Sequence, residues 1–389
     1  MKFRLDCTEW VGRKPCRLQS KQGLEDCEGC RFYQRATASS SPARKQPYSR
    51  SVLESARSVG IIRHGGLGNV LRTDAVSRGV RLVNPTAKIV WMTHQRGSEL
   101  LKYVPGVTPF DMETSRIPSS LIEELDVVIN FEAIEDVRSV VAASRCVAGF
   151  SINEYGKFVP ASSHALRLQA LQIGDNLRKK GMGTMQRVLL NSVGLDDVEP
   201  QYDLHLPVDK YEAARRIVGE RSTVGLNIGT SQKGRLKRWP VSHWVQLIER
   251  LNQVAPQVRI VVLSGPEDHD IRCDFLAALS KSDATVEVLP DTLDAGTFMA
   301  IIGCLDYLVT NDTFALHVAS ALGTPQVAIA GPMPAQELEV RPSDKLLNTT
   351  LSCAPCYYRC IQDVKGLCMH YVSVEIVEAS LLDLMREER

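Results

Sequence analysis

The chain has 389 residues, enough for two or three domains, and its 44% hydrophobic and 23% charged residues are typical of a globular protein. Its 46 basic and 45 acidic residues give a net charge of +1, which provides no general reason to expect nucleic-acid binding. The apolar runs are short and interrupted, so no transmembrane segment is expected. The N-terminus lacks the apolar stretch of a secretory signal, and we therefore expect a cytoplasmic protein.

The first 35 residues are rich in cysteine and are predicted to bind a metal. The whole chain contains 11 cysteines, and without a signal peptide a disulfide framework is a poor explanation for them. Eight fall into two groups of four, of which the first comprises Cys7, Cys16, Cys27 and Cys30. Four thiolates form a tetrahedral site for zinc, iron or an iron–sulfur cluster, and the metal would supply folding energy to a segment with few large apolar residues. The alternatives are reduced structural thiols or a disulfide-prone surface loop.

Residues 36–50 are rich in Ser, Ala and Pro and are interpreted as a linker. An N-terminal domain is then predicted over residues 51–200, where strand and helix patterns alternate. Its predicted elements are strands at 58–64, 88–94 and 126–130, a helix at 69–83 and a long helical stretch at 162–193. Buried strands that alternate with helices indicate a parallel sheet with covered faces.

A glycine-rich loop joins the first of these strands to the helix at 69–83. Gly66 and Gly68 permit close approach of a ligand to the backbone. Asn69 follows the last glycine and is a residue type that caps helix N-termini.

A second alternating block, residues 201–345, predicts a further domain of the same kind. Its predicted strands lie at 223–228, 258–264, 285–289, 307–310 and 326–330, with helices between them. Two blocks of similar size, joined near 196–210, predict an α/β protein with two doubly wound Rossmann-like domains that face a cleft.

Two strand-to-helix loops of the second block carry candidate ligand-binding residues. The loop after the strand at 223–228 contains Thr230, Ser231 and Lys237. Backbone amides and hydroxyls of such a loop accept phosphate oxygens, while Lys237 or Arg238 supplies positive charge. The alternative is a solvated basic turn.

The second loop, after the strand at 307–310, contains Asp312 and Thr313, and His317 follows one turn into the next helix. Asp or Thr at this point is also consistent with simple helix capping. Two loops with groups that bind phosphate, both from one domain, indicate a nucleoside diphosphate ligand.

The second cysteine group lies in a predicted hairpin over residues 346–370 and comprises Cys353, Cys356, Cys360 and Cys368. Its C-x2-C pair again indicates zinc, iron or an iron–sulfur cluster, with the same alternatives as before. The remaining cysteines are predicted to be small buried side chains: Cys146, Cys273 and Cys304. Residues 371–389 form an amphipathic helix that is expected to pack back on the first domain.

Together these motifs resemble glycosyltransferase family 9, the heptosyltransferase family with its two-domain GT-B fold. The resemblance spans about residues 58–385 and rests on 66–73, Gly149-Phe150, Tyr155-Gly156, 237–244, 264–267, 311–317, 323–325, Gly331-Pro332 and Cys353–Cys356. It implies inverting transfer of a sugar, typically heptose, from an ADP-sugar donor held by the C-terminal domain. The acceptor is left open, as a glycan, a protein side chain or a small metabolite.

The resemblance also implies roles for individual residues. Thr230 and Ser231 would meet the diphosphate, which Lys237 would neutralise. Glu267 would lie near the nucleoside, and the residues lining the sugar and pyrophosphate would be Asp312, Thr313 and His317. No metal is then required for the chemistry, because Lys237 and helix amides stabilise the leaving group. The cysteines would be structural.

The sequence departs from the family at Asn69, where the family ordinarily has the Asp thought to deprotonate the acceptor. An amide cannot take a proton at neutral pH. Asp74 is the nearest carboxylate in sequence, but it lies about 140° around the helix from Asn69. The other interpretations are a base such as His64 or Glu154, an acceptor of different chemistry, or a protein that binds a nucleotide sugar as a scaffold without transferring it. An electron-transfer protein is disfavoured because no flavin or nicotinamide fingerprint is present.

Overall fold

The structure is a computed structural model that describes residues 4–10, 27, 30–37, 45–166, 168–169 and 183–387. The chain divides into two compact units, Met1–Asp203 and Leu204–Arg389. Within the described residues, no helix is both long and apolar enough to cross a membrane.

The first unit contains a six-stranded sheet with helices between the strands. Its elements are α1 (Arg50–Ser55), β1 (Ser58–Ile62), α2 (Leu67–Val83), β2 (Lys88–Thr93), α3 (Gln95–Leu101), β3 (Val107–Asp111), α4 (Ser119–Glu124), β4 (Val127–Asn130), α5 (Arg138–Ala143), β5 (Val147–Ile152), β6 (Phe158–Pro160) and α6 (Met185–Ser192). The strand order is β3-β2-β1-β4-β5-β6, and only the β5–β6 pair is antiparallel. Of the predicted long helical stretch, α6 is described, and much of the remainder lies outside the described residues.

The helix after the glycine loop begins earlier than expected. Gly66 is the N-cap of α2, with no side-chain cap, and Asn69 is the third residue of the helix, its N–H donating to Gly66 O at 2.7 Å. The prediction that Asn69 caps this helix is therefore wrong. Most of α2 is buried, because side chains such as Val70, Leu71 and Val76 are fully enclosed in this unit.

The second unit contains a six-stranded, fully parallel sheet. Its elements are α7 (Val208–Val218), β7 (Thr223–Asn227), α8 (Val241–Val254), β8 (Arg259–Leu263), α9 (His269–Leu279), β9 (Glu287–Val288), α10 (Ala295–Cys304), β10 (Tyr307–Asn311), α11 (Phe314–Leu322), β11 (Gln326–Ala330), β12 (Lys345–Asn348), α12 (Leu367–His370) and α13 (Val374–Glu387). The strand order is β12-β11-β10-β7-β8-β9. Numbered within the unit this is the Rossmann order 3-2-1-4-5-6 read from the other edge. The predicted α/β class is confirmed, with two sheets whose strands are mostly parallel.

The C-terminal helix α13 completes the core of the second unit. Val377, Leu381 and Leu384 are fully buried in the same hydrophobic cluster as Trp239 and strand β7. Arg250 of α8 pairs with Glu378 at 2.6 Å. The apolar face of α13 is thus covered within this unit, which corrects the expectation that the helix packs back on the first domain.

The N-terminal cysteine segment is attached to the first unit through the part of it that the structure describes. Cys7 forms an isolated antiparallel bridge with Arg35, and Thr8 N–H donates to Gln34 O at 2.8 Å. Trp10 is 1% exposed, and its indole N–H donates to Phe158 O in β6 at 2.9 Å. The buried Trp10 side chain thus fixes this segment to the first unit. Cys16, a member of the predicted metal group, lies outside the described residues.

The predicted linker, residues 36–50, is docked over its second half. Lys45 Nζ donates to Val141 O at 2.5 Å and to Ser144 O at 2.9 Å, at the C-terminus of α5. Tyr48 is buried, and its hydroxyl donates to Val193 O at 2.7 Å. These contacts attach residues 45–50 to the first unit. The Lys45 ammonium is favourable there because it satisfies free carbonyls at a helix C-terminus.

Candidate functional site

The best candidate site in the second unit lies where its strand order reverses, between β7 and β10. In open parallel sheets, ligands bind beyond the carboxyl ends of the strands at this switch point. The β7 loop, residues 228–240, leaves β7 here, and the β10 loop, residues 312–313, leaves its neighbour and leads into α11. The sheet topology therefore brings together the two loops that were singled out in the sequence.

Side-chain amides at the ends of the two strands hold these loops together. Asn227 Nδ2 donates to the hydroxyls of Thr310 and Thr313, both at 3.0 Å. Trp239 N–H donates to Asn311 Oδ1 at 3.0 Å. All five residues are buried or partly buried, so these bonds are shielded from water and fix the spacing between the loops.

The cationic group of the site is the ammonium of Lys237, which forms an ion pair between the two loops. Lys237 Nζ lies 2.8 Å from Asp312 Oδ2 and also donates to Asp312 O at 3.2 Å. Burial alone would lower the pKa of Lys237, but the Asp312 carboxylate and the Tyr358 hydroxyl outweigh it and raise the pKa. Lys237 therefore remains an ammonium, which is the form that a phosphate requires.

The backbone of the β7 loop is held by the carboxylate of Asp268, which sequence reasoning missed. Asp268 accepts hydrogen bonds from Thr230 N–H and from Gly265 N–H, both at 2.8 Å, and so joins the loops after β7 and β8. A Cβ atom on Gly229 would clash with this carboxylate, so glycine is required there. Burial raises the pKa of Asp268, against the lowering effect of the two backbone donors.

Arg238, the other predicted cation, is hydrogen-bonded to side chains of the protein itself. Its guanidinium donates to both oxygens of Asp270, at 2.7 and 3.0 Å, and to the Thr230 hydroxyl at 3.2 Å. The hydrogen bonds from Arg238 hold the pKa of Asp270 well below its usual range. The Arg238 guanidinium thus orients the Thr230 hydroxyl. Because Arg238 is already paired with Asp270, Lys237 is the better candidate to bind a negatively charged ligand.

The remaining predicted residues of this site differ in exposure. Ser231 is exposed at the start of a 3-10 turn, and Glu267 is exposed, with its carbonyl accepting from Gln232 at 2.7 Å. Thr313 is the N-cap of α11, so backbone N–H groups of the first helical turn lie beside it. His317 is 3% exposed, and its Nδ1 lies 3.8 Å from Glu339 Oε2.

A tyrosine from the second cysteine group also reaches this site. Lys237 Nζ lies 5.9 Å from the ring centroid of Tyr358, whose hydroxyl contributes to the raised pKa of the ammonium. Tyr357 and Tyr358 both have positive φ, 51° and 65°, a conformation that is uncommon for residues with a side chain. The Cys356 and Tyr357 N–H groups donate to Pro332 O at 3.1 and 2.9 Å and hold this turn.

The cysteines of the second group gather in one region of the second unit. None of the ten cysteines in the described residues forms a disulfide, and within that part of the chain no three His, Cys, Asp or Glu side chains are arranged to hold a metal ion. Burial raises the pKa of Cys368 to about 11, with smaller contributions from the thiols of Cys356, Cys360 and Cys353. The four sulfur atoms are thus electrostatic neighbours, and a metal ion at this group stays a prediction.

The three isolated cysteines are not alike. Cys146 is fully buried, as predicted, whereas Cys304 is partly exposed. Cys273 is exposed on α9, with its sulfur 3.6 Å from His269 Nε2, so the prediction that it is buried is wrong.

In the first unit, the glycine loop leaves β1 at the corresponding switch point, between β1 and β4. A Cβ atom on Gly66 would have open space around it, so a ligand has access to the backbone there. Asp74 is 0% exposed, with one oxygen accepting from the Ser77 hydroxyl at 2.7 Å and the other from Asp203 N–H at 2.5 Å. Its carboxylate is enclosed and engaged, so Asp74 is not suited to deprotonate a bound acceptor.

Comparison with known proteins agrees with the motifs. Residues 179–363 match the profile of glycosyltransferase family 9 (heptosyltransferase). The match contains both loops of the candidate site. It supports the enzyme class that the sequence motifs predicted, a glycosyltransferase.

Among curated proteins, a 114-residue segment is 34% identical to lipopolysaccharide heptosyltransferase 2 of Salmonella typhimurium, over 29% of this chain and 32% of the relative. The chain thus spans about a third of that relative's length. Among solved structures, that of the E. coli ADP-heptose lps heptosyltransferase II is 18% identical, with a TM-score of 0.62, and the match covers 85% of this chain and 100% of that one. The iron-containing dodecameric glycosyltransferase TibC from enterotoxigenic E. coli is 13% identical, with a TM-score of 0.54, and covers 86% of this chain and 77% of its own. These structures share the fold.

Proposed function

We propose that this protein is an inverting glycosyltransferase that transfers a heptose from an ADP-heptose donor, with the donor held by the second unit. The observation that carries the proposal is the ion pair of Lys237 with Asp312 at the switch point of the second sheet, within the segment that matches glycosyltransferase family 9. ADP-heptose is named for the related E. coli transferase, which supports it as the donor.

In this proposal the two loops divide the donor between them. The Thr230 hydroxyl, the Ser231 hydroxyl and the Lys237 ammonium bind the diphosphate. Asp312, Thr313 and His317 lie along the sugar and pyrophosphate. Glu267 lies toward the nucleoside.

The chemistry of the proposed site is stabilisation of the leaving group. When the anomeric carbon loses the diphosphate, negative charge develops on the departing oxygen. The Lys237 ammonium and the N–H groups at the start of α11 lie at the switch point of the second sheet, where the proposed diphosphate would bind. These groups supply the stabilisation that a divalent metal supplies elsewhere, so we propose that the transfer step needs no metal.

Binding of ADP-heptose, measured by titration calorimetry, tests this proposal. Replacing Lys237 with Ala removes a charge-assisted bond worth about 2–5 kcal/mol, so we expect affinity to fall about 30-fold or more. Asp312→Ala tests the other side of the pair. Lys281→Ala, an exposed lysine beyond α9, is the matched control and should bind like the parent. Absence of ADP-heptose binding by the parent protein would refute the proposal.

Asn69 favours a second candidate function, a protein that binds the nucleotide sugar as a scaffold without transferring it. Both functions require donor binding, so release of ADP from ADP-heptose distinguishes them. Release above the uncatalysed rate supports the transferase, and binding without release supports the scaffold. The acceptor is proposed to be a glycan, a protein side chain or a small metabolite, and the reaction is proposed to take place in the cytoplasm.

We also propose a structural zinc or iron at one or both cysteine groups. The clustered thiols of the second group and the iron named for TibC support this proposal. Bound metal would fix the turn that carries Tyr358 and would take no part in the transfer step. Elemental analysis of the purified protein tests it, with Cys356→Ser and Cys27→Ser beside the exposed control Cys273→Ser. Metal-free parent protein would refute it.

A further inference from the structure

At the glycine loop of the first unit, an amide stands where the family resemblance implies a carboxylate base, and a histidine directly precedes the same loop. Asn69 occupies the position of the expected Asp, and Asp74 is enclosed with both oxygens engaged. Glu154 lies in the turn between β5 and β6, at the edge of the sheet and away from β1. His64 is the titratable residue that directly precedes the glycine loop.

His64 lies at the carboxyl end of β1, at the switch point of the first sheet. Its side chain is 23% exposed, so it is neither enclosed nor freely solvated. The Asn69 side chain lies over the adjacent Gly65, because a Cβ atom there would be only 2.9 Å from Asn69 Nδ2. His64 and Asn69 therefore flank one short backbone segment.

A second histidine fixes that segment. His94 Nδ1 accepts from Gly97 N–H at 3.0 Å, so its Nε2 carries the proton and donates to Gly65 O at 2.8 Å. Burial lowers the pKa of His94, which keeps it neutral. The rings of His64 and His94 meet edge to face with centroids 5.6 Å apart. His94 thus contacts both Gly65 and the His64 ring, and so positions the His64 side chain.

Two carboxylates, which follow strands β3 and β4, lie close to His64. Glu113, just beyond β3, places Oε1 3.9 Å from His64 Nε2, while its Oε2 accepts from Gln95 N–H at 3.1 Å. Glu132, just beyond β4, accepts from the His64 backbone N–H at 3.0 Å and lies 3.4 Å from the Arg63 guanidinium. Glu132 therefore holds the main chain, and Glu113 is placed to stabilise a protonated imidazole.

We propose that His64 is the general base that replaces the missing carboxylate, with Glu113 as its positioning residue; this rests on the proposed transferase function. The acceptor hydroxyl gives its proton to Nδ1 of His64 while its oxygen forms a bond to the anomeric carbon. The bond from that carbon to the diphosphate oxygen breaks, and its electron pair leaves with ADP. The imidazolium carries Nε2–H toward the Glu113 carboxylate, as in other imidazole–carboxylate pairs.

Hydrolysis of ADP-heptose, with water as the acceptor, tests this assignment without the natural acceptor. We expect His64→Ala and His64→Gln to lower the rate of ADP release about 10²–10⁴-fold, with affinity for ADP-heptose unchanged. His205→Ala is the control for loss of an imidazole and should hydrolyse like the parent. Unchanged affinity shows that the second unit of each variant is folded.

The pH profile separates a base from a merely structural histidine. The parent profile should have an acid limb, where the base is protonated, and the residual rate of His64→Ala should lack this limb. Glu113→Gln should lower the rate of ADP release and leave the affinity for ADP-heptose unchanged, because the imidazolium loses its carboxylate partner. In His64→Ala with Asn69→Asp, activity should return in part with the limb at the more acidic pH of a carboxylate.

The outcomes distinguish the two proposals. No binding of ADP-heptose by the parent refutes the proposed function itself. Binding and hydrolysis by the parent with an equal rate in His64→Ala refutes only the role of His64. Binding with no hydrolysis by the parent also refutes that role, since no proton transfer remains for His64 to perform.

Discussion

Lys237 Nζ and Asp312 Oδ2 are 2.8 Å apart, and the two side chains are 17% and 7% exposed. Their residues come from different strand–helix connections, so the pair joins the β7 and β10 loops across the switch point of the second sheet. A pair this well enclosed leaves an uncompensated charge when either partner is removed.

We therefore expect Lys237→Met to lower the free energy of unfolding by about 3 kcal/mol, at the low end for a buried pair because Lys237 keeps some exposure. The double variant Lys237→Met/Asp312→Asn should recover most of this loss, because no buried charge is left unpaired. Urea denaturation measures both. The exposed pair of Arg386 with Asp383 in α13 is the control, and its removal should change stability little. Equal losses in the single and double variants would contradict the prediction.

Asp74 predicts a specific pH dependence of stability. Burial raises its pKa to about 6 from the ordinary 3.8, so the folded protein binds this proton more tightly than the unfolded chain. The stabilisation from Asp74 is complete below its unfolded pKa and is lost as pH rises through about 6. Relative to Asp74→Asn, the parent should lose up to about 3 kcal/mol between pH 4 and pH 7, at ~1.4 kcal/mol per pKa unit. Asp136→Asn, an exposed carboxylate, should show no such change.

Tyr358 should extend the pH range over which ADP binds. Its hydroxyl raises the pKa of Lys237, together with Asp312. Tyr358→Phe removes that contribution, so the loss of ADP affinity at alkaline pH should begin at lower pH than in the parent. Calorimetric titrations with ADP across the alkaline range measure the shift. Tyr371→Phe, an exposed tyrosine outside the site, should leave the profile unchanged.

Gly229→Ala tests the role of Asp268 in shaping the β7 loop. The new Cβ would collide with the Asp268 carboxylate and displace it from Thr230 N–H. We expect a loss of about 1–3 kcal/mol in unfolding free energy, as for overpacking of a closed site, with weaker ADP binding. Gly66→Ala is the steric control, because nothing lies within 4 Å of its new Cβ. A stable Gly229→Ala protein with parental ADP affinity would contradict this account.

The sequence was most informative where a strand is buried on both faces. Central strands such as β1, β7 and β10 are rich in apolar residues and are predicted close to their observed positions. The edge strand β3 contains Pro109, which removes a ladder donor and makes the segment resemble a loop. The short edge strand β12 was missed for a related reason, because strands paired on one side need little apolar sequence.

The candidate site was predictable only in part. The residues of the β7 and β10 loops follow strands and carry recognisable phosphate-binding groups, so Lys237 and Asp312 could be named from local sequence. Tyr358 could not be named from local sequence, because its approach to Lys237 depends on the left-handed backbone of Tyr357 and Tyr358 and on contacts with Pro332. From the sequence alone, Asp268 resembles an ordinary helix cap. The two backbone N–H groups that donate to it are apparent only in the folded chain.

The indole of Trp10 has a consequence for association between copies of the chain. Strand β6 is the outermost strand of the first sheet, and the carbonyl of Phe158 in it already accepts the indole N–H. The ammonium of Lys157, just before β6, donates in turn to Thr8 O at 2.8 Å. The N-terminal segment therefore covers part of an open sheet edge. An uncovered edge would offer unpaired backbone groups for strand pairing between molecules.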